Sequence, residues 1–219
     1  MARLLRGRNF GDRSGRPHLI ALTFDDGPYP VTTPLLLNVL RDLHVPATFF
    51  LIGRDAVQFP ELTRRIELFG NEIGNHTYTH PDLDGLPDAA VRAELTKARD
   101  ALRAYAVDPG INTLFRPPHG RYTEATVATA QRLGYYTMLW NDDPGDWRNI
   151  SARDLAAHIE GHATAPEVVL LHSGSLATVA ALPEVVGRFR KSGYRFVTVS
   201  QLLRRASPQE MNHPARRGV

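Results

Sequence analysis

Thr23-Phe24-Asp25-Asp26-Gly27-Pro28 is the stretch that decides the fold, because two adjacent carboxylates end an apolar segment there. The segment, residues 18–24, reads His-Leu-Ile-Ala-Leu-Thr-Phe and predicts a buried strand, which Gly27 and Pro28 then break. A buried carboxylate is costly unless it is paired with a cation or bound to a metal, and two side by side cost more. The pair therefore predicts a compensating cation at the end of this strand.

The rest of the chain alternates between apolar segments, which predict strands, and amphipathic segments, which predict helices. The predicted strands are 18–24, 47–52, 72–73, 113–115, 136–140, 167–171 and 194–199. The predicted helices are 32–44 (capped by Thr32 or Thr33, with Pro34 at the first position), 60–69, 87–106, 123–133, 151–162 (capped by Ser151), one that contains 182–189, and 200–205 (capped by Ser200). This alternation predicts an α/β fold with a parallel sheet, open or closed into a barrel.

The domain organisation that we predict is a single domain over residues 16–205. Neither an internal repeat nor a linker divides this region. Residues 1–15, rich in Arg and Gly, are predicted to form a flexible arm, and the polar residues 206–219 a flexible tail.

Composition excludes several classes of function. The absence of cysteine excludes disulfides, thiolate metal ligands and cysteine nucleophiles. The net charge of +3 comes from 26 basic and 23 acidic residues scattered along the chain, so we expect no nucleic-acid partner. No apolar run reaches the roughly 18 residues of a membrane helix, and the basic start lacks the apolar region of a signal peptide. We therefore expect neither an integral membrane segment nor a signal peptide.

His76 and His80, in His76-Thr77-Tyr78-Thr79-His80, are candidate metal ligands that follow the third predicted strand. This spacing lets two imidazoles converge on one ion, and a strand-end aspartate would complete a set that suits zinc and other divalent ions. The histidine pair alone is more typical of surface or capping residues, and the Asp pair alone of a turn or helix cap. Their joint occurrence after predicted strands favours a metal site.

Three later segments also place chemically useful residues after predicted strands. Arg116-Pro117-Pro118-His119-Gly120 offers an arginine that could pair with a buried carboxylate. Asp142-Asp143-Pro144-Gly145-Asp146-Trp147 is acidic, and Leu170-Leu171-His172-Ser173 places a histidine directly after an apolar run. Singly, these segments are typical of a proline turn, a solvated acidic turn and a structural histidine. At the carboxyl ends of parallel strands, where active sites lie, they are candidates for catalysis.

Five of these segments, in this order, resemble the motifs of the polysaccharide deacetylase family (the NodB-homology domain, carbohydrate esterase family 4). The resemblance covers residues 18–200, nearly the whole chain. The matching segments are Thr23-Phe24-Asp25-Asp26-Gly27-Pro28, His76-Thr77-Tyr78-Thr79-His80, Arg116-Pro117-Pro118-His119-Gly120, Asp143-Pro144-Gly145-Asp146-Trp147 and Leu170-Leu171-His172. In the family, the third motif usually carries an aromatic residue where this chain has His119.

The resemblance implies a distorted (β/α) barrel with about seven parallel strands. It also implies zinc-dependent hydrolysis of the linear amide C–N bond of N-acetyl groups, with release of acetate. The substrate class would be a polysaccharide or oligosaccharide containing N-acetylglucosamine, such as chitin, chitooligosaccharides or peptidoglycan. We expect a monomer whose partner is an acetylated glycan. Family substrates indicate an extracytoplasmic or secreted location if a leader has been removed, and a cytoplasmic one otherwise.

The resemblance also implies three groups of site residues. The metal ligands are Asp26, His76 and His80, usually for Zn²⁺, with another divalent transition metal such as Co²⁺ as the alternative. The catalytic residues are Asp25 (the general base), His172 (the general acid), Arg116 (which orients Asp25) and Asp146 (which tunes the charges around Arg116 and His172). The substrate-binding residues are Pro118, His119, Gly120, Trp147 and Leu170.

Three other functions remain compatible with these residues. One is an esterase that removes O-acetyl groups from xylan-type glycans with the same groups. Another is a non-catalytic carbohydrate-binding derivative of the fold, against which the intact Asp25, Asp26, His76, His80 and His172 argue. The third is a metal-dependent phosphoesterase, whose substrate would need more cationic groups than Arg116 alone.

Overall fold

Eight short strands form one curled parallel sheet in the part of the chain that the computed structural model describes, residues 4–5, 18–105, 113–148, 150–162 and 167–205. The strands are β1 (Leu4–Leu5), β2 (His18–Asp25), β3 (Thr48–Leu51), β4 (Glu72–Asn75), β5 (Leu114–Phe115), β6 (Tyr136–Met138), β7 (Glu167–His172) and β8 (Tyr194–Phe196). Each strand runs parallel to the strands that it pairs with.

Eight α-helices connect these strands within the described residues. They are α1 (Thr32–Asp42), α2 (Gly53–Gln58), α3 (Pro60–Leu68), α4 (Asp88–Tyr105), α5 (Glu124–Arg132), α6 (Ala152–His162), α7 (Leu176–Lys191) and α8 (Val199–Arg205), and a 3₁₀ turn, Pro118–Gly120, follows β5. None of the helices in the described ranges is long and apolar enough to span a membrane.

The sheet curls into a distorted barrel, as the sequence predicts. The strand order is β1-β6-β5-β4-β3-β2-β7, and β8 pairs with the start of β2. A parallel bridge between Asp142 and Val169 joins the segment after β6 back to β7. In this bridge Asn141 donates its N–H to the carbonyl of Val168 (3.1 Å), and Leu170 donates to the carbonyl of Asp142 (2.9 Å). A single short bridge therefore closes the ring of strands.

Strand β2 separates two apolar layers because its side chains alternate between the two faces of the sheet. Ile20, Leu22 and Phe24 pack in the layer between the sheet and the helices, whereas Ala21 packs in the barrel interior. This alternation places Asp25 on the face of Ala21, which is the interior of the barrel. The alternation of side chains along β2 thus places Asp25, the first carboxylate of the pair, inside the barrel.

Two helix starts differ from the prediction. Helix α1 has no side-chain cap, and Pro34 lies in its third position; the Thr33 hydroxyl instead accepts the N–H of Tyr29 (2.8 Å) before the helix begins. Helix α8 begins at Val199, so the predicted Ser200 cap was wrong. Residue 198, a threonine, caps this helix by accepting the N–H of residue 201 (3.3 Å). The predicted Ser151 cap of α6 is confirmed, because its hydroxyl accepts the N–H of Asp154 (3.1 Å).

Other differences concern the extent of the elements. Helix α2, directly after β3, is not among the predicted helices, and β6 and β8 end earlier than predicted, at Met138 and Phe196. Within the predicted N-terminal arm, Leu4–Leu5 forms β1 and pairs with β6. The rest of that arm and the predicted tail, 206–219, lie outside the described residues.

A test of the packing in β4 uses Gly74, which has no room for a side chain. A Cβ there would lie 2.6 Å from Cδ1 of Phe50, whose ring the Arg116 guanidinium covers at 4.1 Å. We expect Gly74→Ala to lower the free energy of unfolding by about 1–3 kcal/mol, measured by urea denaturation, because the ring must shift.

The matched control is Gly187→Ala in α7, where a Cβ would meet nothing within 4 Å. It should raise the free energy of unfolding by about 0.5–1 kcal/mol, because alanine loses less backbone entropy in a helix. A Gly74→Ala protein as stable as the wild type would contradict the packing described here.

Candidate active site

Arg116, after β5, is completely buried, and its guanidinium donates hydrogen bonds to two parts of the barrel, β2 and the end of β6. Its Nη1 donates to Oδ1 of Asp25 (2.7 Å) and to the hydroxyl of Thr23 (2.7 Å). Its Nε donates to the carbonyl of Met138 (3.3 Å) and its Nη2 to that of Leu139 (3.2 Å). A buried cation is tolerated only when it is satisfied in this way, so the guanidinium and Asp25 depend on each other.

Asp25 is a buried carboxylate with one oxygen engaged and one facing the neighbouring histidine. Burial raises the pKa of Asp25 above its usual value, and the Arg116 guanidinium opposes that rise. Oδ1 is held by Arg116, while Oδ2 lies 3.7 Å from Nε2 of His76. An ionised carboxylate with a raised pKa is a stronger base than an exposed one.

Asp26, His76 and His80 form a compact group of potential metal ligands beside Asp25. One oxygen of Asp26 and one ring nitrogen of each histidine lie within 4.8 Å of one another. Oδ1 of Asp26 is 3.3 Å from Nε2 of His80 and 3.7 Å from Nε2 of His76, and the two Nε2 atoms are 3.2 Å apart.

The chemistry of this group fits a divalent transition metal. The carbonyl of Arg116 can only accept, so Nδ1 of His76 donates to it (2.8 Å) and Nε2 keeps its lone pair. Burial lowers the pKa of His76 to about 3, which keeps the ring neutral as metal binding requires. Oδ1 of Asp26 is buried and has no hydrogen bond to the described residues. A divalent cation would be bound by that oxygen and by one ring nitrogen each of His76 and His80.

The turn after β2 sends the two carboxylates in different directions. Asp26 has φ +70° and Gly27 has φ +72°, so the chain leaves the strand geometry immediately after Asp25. A Cβ at Gly27 would lie 2.8 Å from Oγ of Ser173, which donates to the carbonyl of Asp26 (2.9 Å). Glycine is therefore needed both for the positive φ and for this approach of β7.

His172, at the end of β7, forms a hydrogen-bonded pair with Asp146, whose side chain is fully buried. Nδ1 of His172 donates to Oδ1 of Asp146 (2.7 Å), and the N–H of His172 donates to Oδ2 (2.8 Å). The Thr178 hydroxyl also donates to Oδ2 (2.5 Å). Burial lowers the pKa of His172, but the hydrogen bond and negative charge of Asp146 and the charge of Asp25 outweigh it and raise the pKa to about 9.

The 3₁₀ turn after β5 leaves one backbone donor unused. The N–H of Gly120 donates to the carbonyl of Pro117 (3.1 Å), and the N–H of Arg121 donates to that of Pro118 (3.0 Å). The N–H of His119, between them, has no acceptor among the described residues. His119 has φ +55°, and this turn follows the residue that holds Asp25.

The side chain of His119 joins two loops at the rim of the site. Its Nδ1 lies 2.8 Å from Oδ1 of Asp82, and its ring meets the ring of His80 edge-on, with centroids 4.7 Å apart. Arg121 pairs with the other oxygen of Asp82 (2.7 Å) and with Asp84 (2.9 Å). His119 thus contacts a proposed metal ligand, His80. Together with Arg121, it connects the 3₁₀ turn to residues 82–84.

Two cavities, of about 500 and 370 Å³, lie on either side of Asp26 and Tyr29, which line both. The larger is lined also by His172, Asp146 and Trp147, whose side chain is 59% exposed. The smaller is lined also by His80 and by residues of α2. Of the predicted substrate-binding residues, Trp147 lines the larger cavity, whereas Pro118, His119, Gly120 and the buried Leu170 line neither.

Three residues of this region were not singled out from the sequence. Thr23 and Thr178 are hydroxyl donors and acceptors whose partners lie far along the chain, so no local pattern indicates them. Tyr29 lies at the junction of the two cavities, only three residues from Asp26. An aromatic residue so close to a strand-end aspartate was the one signal that could have found it.

The fold and the site together define a class of protein: a parallel α/β barrel with a two-histidine, one-carboxylate cluster, a buried carboxylate paired with arginine and a histidine of raised pKa at one end. The chain belongs to the polysaccharide deacetylase family, whose model matches residues 12–138.

Two curated relatives cover most of the chain. The first is a peptidoglycan-N-acetylglucosamine deacetylase of Bacillus cereus, 39% identical over 191 residues that span 85% of this chain and 88% of the relative. The second is a chitooligosaccharide deacetylase of Bradyrhizobium, 40% identical over 167 residues that span 76% of this chain and 75% of the relative.

Among solved structures, one similar fold is that of a mutant of a CE4 family pseudoenzyme with restored enzymatic activity. It superimposes with a TM-score of 0.81 at 28% identity, over 85% of this chain and 68% of the other. Because a pseudoenzyme shares this fold, the fold alone does not establish turnover. Catalysis therefore depends on the residues of the site.

The His172–Asp146 pair can be tested by titration. Replacing the anionic partner in Asp146→Asn should lower the pKa of His172 from about 9 towards its usual 6.5, measured by NMR of the histidine ring protons. Because folding raises this pKa, the pair stabilises the folded state below pH 6.5, and that contribution is lost as the pH rises through about 9.

The control for this titration is Asp143→Asn, an exposed carboxylate of the same loop, which should leave the pKa of His172 unchanged. If the pKa of His172 stays near 9 in Asp146→Asn, the assignment of its cause to Asp146 is wrong.

Proposed function

We propose that this chain is a metal-dependent hydrolase that removes N-acetyl groups from N-acetylglucosamine units of a glycan and releases acetate. The observation that carries the proposal is the pairing of Asp25 with Arg116 directly beside the Asp26–His76–His80 cluster. The two carboxylates at the end of β2 thus have different partners: Asp25 pairs with Arg116, and Asp26 lies with the two histidines. The activities named for the Bacillus cereus and Bradyrhizobium relatives support the same reaction class.

Asp26, His76 and His80 are the residues that would hold the ion. Their nitrogen and carboxylate donors suit Zn²⁺, with Co²⁺ as the alternative. Bound there, such an ion would polarise the acetyl carbonyl and lower the pKa of a coordinated water from 15.7 towards about 7.

Asp25 serves as the general base. Its Oδ1 is held by Arg116, so Oδ2, which lies on the side of His76, is the oxygen that takes the proton of the attacking water. The raised pKa of Asp25 strengthens it as a base, while the guanidinium keeps it ionised and oriented. Arg116 and Thr23 thus act as positioning residues.

The remaining steps need an oxyanion donor and an acid. The unused N–H of His119 is the backbone donor for the oxyanion of the tetrahedral intermediate, and one such donor is worth roughly 3 kcal/mol. His172, protonated because its pKa is raised to about 9, gives its proton to the departing sugar nitrogen as the C–N bond breaks. Acetate and a free amine are the products, and the amine carries the transferred proton.

The two cavities favour a chain of sugars over a single one. They meet at Asp26 and Tyr29, so a glycan whose acetyl group lies at the ligand cluster can extend to both sides. The exposed Trp147 offers an apolar face on one side, and the polar side chains of Arg54 and Gln58 line the other. We therefore propose oligomeric or polymeric substrates, either chitooligosaccharide or peptidoglycan.

The experiment that tests this function measures acetate release from chitopentaose, peptidoglycan and O-acetylated xylan, with and without a chelator and with added Zn²⁺ or Co²⁺. We expect release from an N-acetylated glycan that stops with chelation and returns with the metal. Release that is indifferent to chelation would contradict the proposal. Release from xylan alone would indicate an esterase, and glycan binding without release a non-catalytic protein.

The role of Asp25 is tested by Asp25→Asn, which keeps the shape of the side chain but cannot take a proton. We expect at least a 100-fold loss of kcat with zinc content unchanged, because general base catalysis contributes about 10²- to 10⁴-fold. Since the change also leaves Arg116 without a carboxylate partner, thermal unfolding must show that the variant is folded at the assay temperature. A folded variant with more than a tenth of wild-type activity would exclude Asp25 as the base.

A further inference from the structure

The segment from His76 to His80 belongs to no helix or strand, so its backbone groups need partners from outside regular structure. The N–H of His76 donates to the carbonyl of Leu51 (3.0 Å), at the end of β3. The N–H of Thr77 donates to the side chain of Asn75 (2.8 Å), and that of His80 to the hydroxyl of Thr77 (3.1 Å). Two N–H groups of the segment remain, those of the residues between Thr77 and His80.

Glu94, on α4, accepts both remaining donors. Its Oε2 accepts the N–H of Tyr78 (2.9 Å) and the N–H of Thr79 (2.8 Å), and its Oε1 accepts the hydroxyl of Thr79 (2.9 Å). Gly53 and Arg54 at the start of α2 donate to the carbonyls of residues 77 and 78 (2.9 and 3.1 Å). The segment is thus held by α2, which satisfies these two carbonyls, and by a carboxylate of α4, which satisfies two of its N–H groups.

This segment also has an unfavourable backbone conformation. Thr77 has φ +67° and His80 has φ +64°, and positive φ values are strained for residues with a Cβ, most of all for a β-branched threonine. Such conformations persist only where the surroundings determine them. The three hydrogen bonds to Glu94 act on the two residues between the strained positions, and so oppose relaxation of the chain there.

We infer that Glu94 is a positioning residue for the metal site: it holds the segment in the strained form in which His76 and His80 face Asp26. The inference rests on the metal dependence in the proposed function. Charge-assisted hydrogen bonds to backbone N–H groups are stronger than neutral ones, which makes a carboxylate better suited to this task than a neutral acceptor. Glu94 lies 14 residues beyond His80. The helical pattern of the sequence does not distinguish it from the other charged residues of α4, so this role could not be predicted from the sequence.

The test compares Glu94→Ala, Glu94→Gln and the control Asp100→Ala, which removes an exposed carboxylate of the same helix whose ion-pair partner within the described residues is its neighbour Arg99. Zinc affinity is measured on the purified proteins by competition with a chromophoric chelator, and the visible absorption spectrum is recorded with Co²⁺. We expect Glu94→Ala to bind zinc about 10- to 100-fold more weakly than the wild type and to show an altered Co²⁺ spectrum. Asp100→Ala should match the wild type in both measurements.

The Glu94→Gln variant distinguishes a role in positioning the metal-binding segment from a role in the stability of the fold alone. Its carbonyl oxygen can still accept the N–H groups of Tyr78 and Thr79, so its loss of zinc affinity should fall between those of Asp100→Ala and Glu94→Ala. Activity of both Glu94 variants should recover as zinc is raised, because the catalytic groups remain in place.

Glu94→Ala with wild-type zinc affinity and Co²⁺ spectrum would overturn the inference. If circular dichroism shows that Glu94→Ala is unfolded, a folded Glu94→Gln with unchanged affinity and spectrum would overturn it instead. A wild-type protein that binds neither metal would contradict the proposed metal dependence, which is a different failure from that of the inference about Glu94.

Discussion

The buried ion pair between Arg116 and Asp25 is the interaction on which the rest of the structure depends. A fully buried guanidinium requires acceptors, and the barrel supplies them from β2 and from the end of β6. Its flat faces lie over the ring of Phe50 (4.1 Å) and near that of Trp140 (5.5 Å). Apolar side chains of the same volume could fill this space with equal or greater stability. The pair is therefore better explained by what it does at the strand end than by stability.

Arg116 also contacts both Asp25, the proposed base, and the proposed metal site. Its side chain holds Oδ1 of Asp25, and its carbonyl accepts the Nδ1 proton of His76. The side chain thus orients the proposed base, and the main chain fixes the tautomer of a proposed ligand. Movement of this residue would disturb both at once. Asp25 and Asp26 share a strand end but differ in their proposed roles, because Arg116 pairs with Asp25.

The sequence predicts the positions of the main elements and the convergence of the site, and it does so for a physical reason. Parallel strands bring their carboxyl ends to one edge, so Asp26, His76 and His172 could be expected together once each was placed after a strand. The family resemblance implies a barrel, but the position of the bridge that closes it could not be predicted, because this bridge involves one residue after β6, Asp142, and no apolar pattern. Helix α2 was missed because its six residues begin with glycine and have no side-chain cap.

Tertiary contacts determine the parts of the site that no pattern indicates. The positive φ of Thr77 contradicts the preference of a β-branched residue, and the segment is held by groups on α2 and α4 that lie near it only in the folded chain. Thr178 similarly reaches Asp146 from the first turn of α7. Local propensity says nothing of such contacts, because they depend on the packing of elements remote in sequence. Their absence from the sequence prediction is typical of functional sites, where local rules give way to geometry.

The charges of Asp25 and His172 distinguish a hydrolytic site from one that only binds sugars. Each charge favours the other: the carboxylate raises the pKa of His172, and the imidazolium lowers that of Asp25. An ionised Asp25 and a protonated His172 are the two protonation states that the proposed amide hydrolysis needs at its start. A glycan-binding surface needs hydroxyl partners and apolar faces, which Tyr29 and Trp147 could supply alone. It has no need of a buried carboxylate near a histidine whose proton is held by Asp146, and this costly arrangement is explained by the proton transfers that we propose.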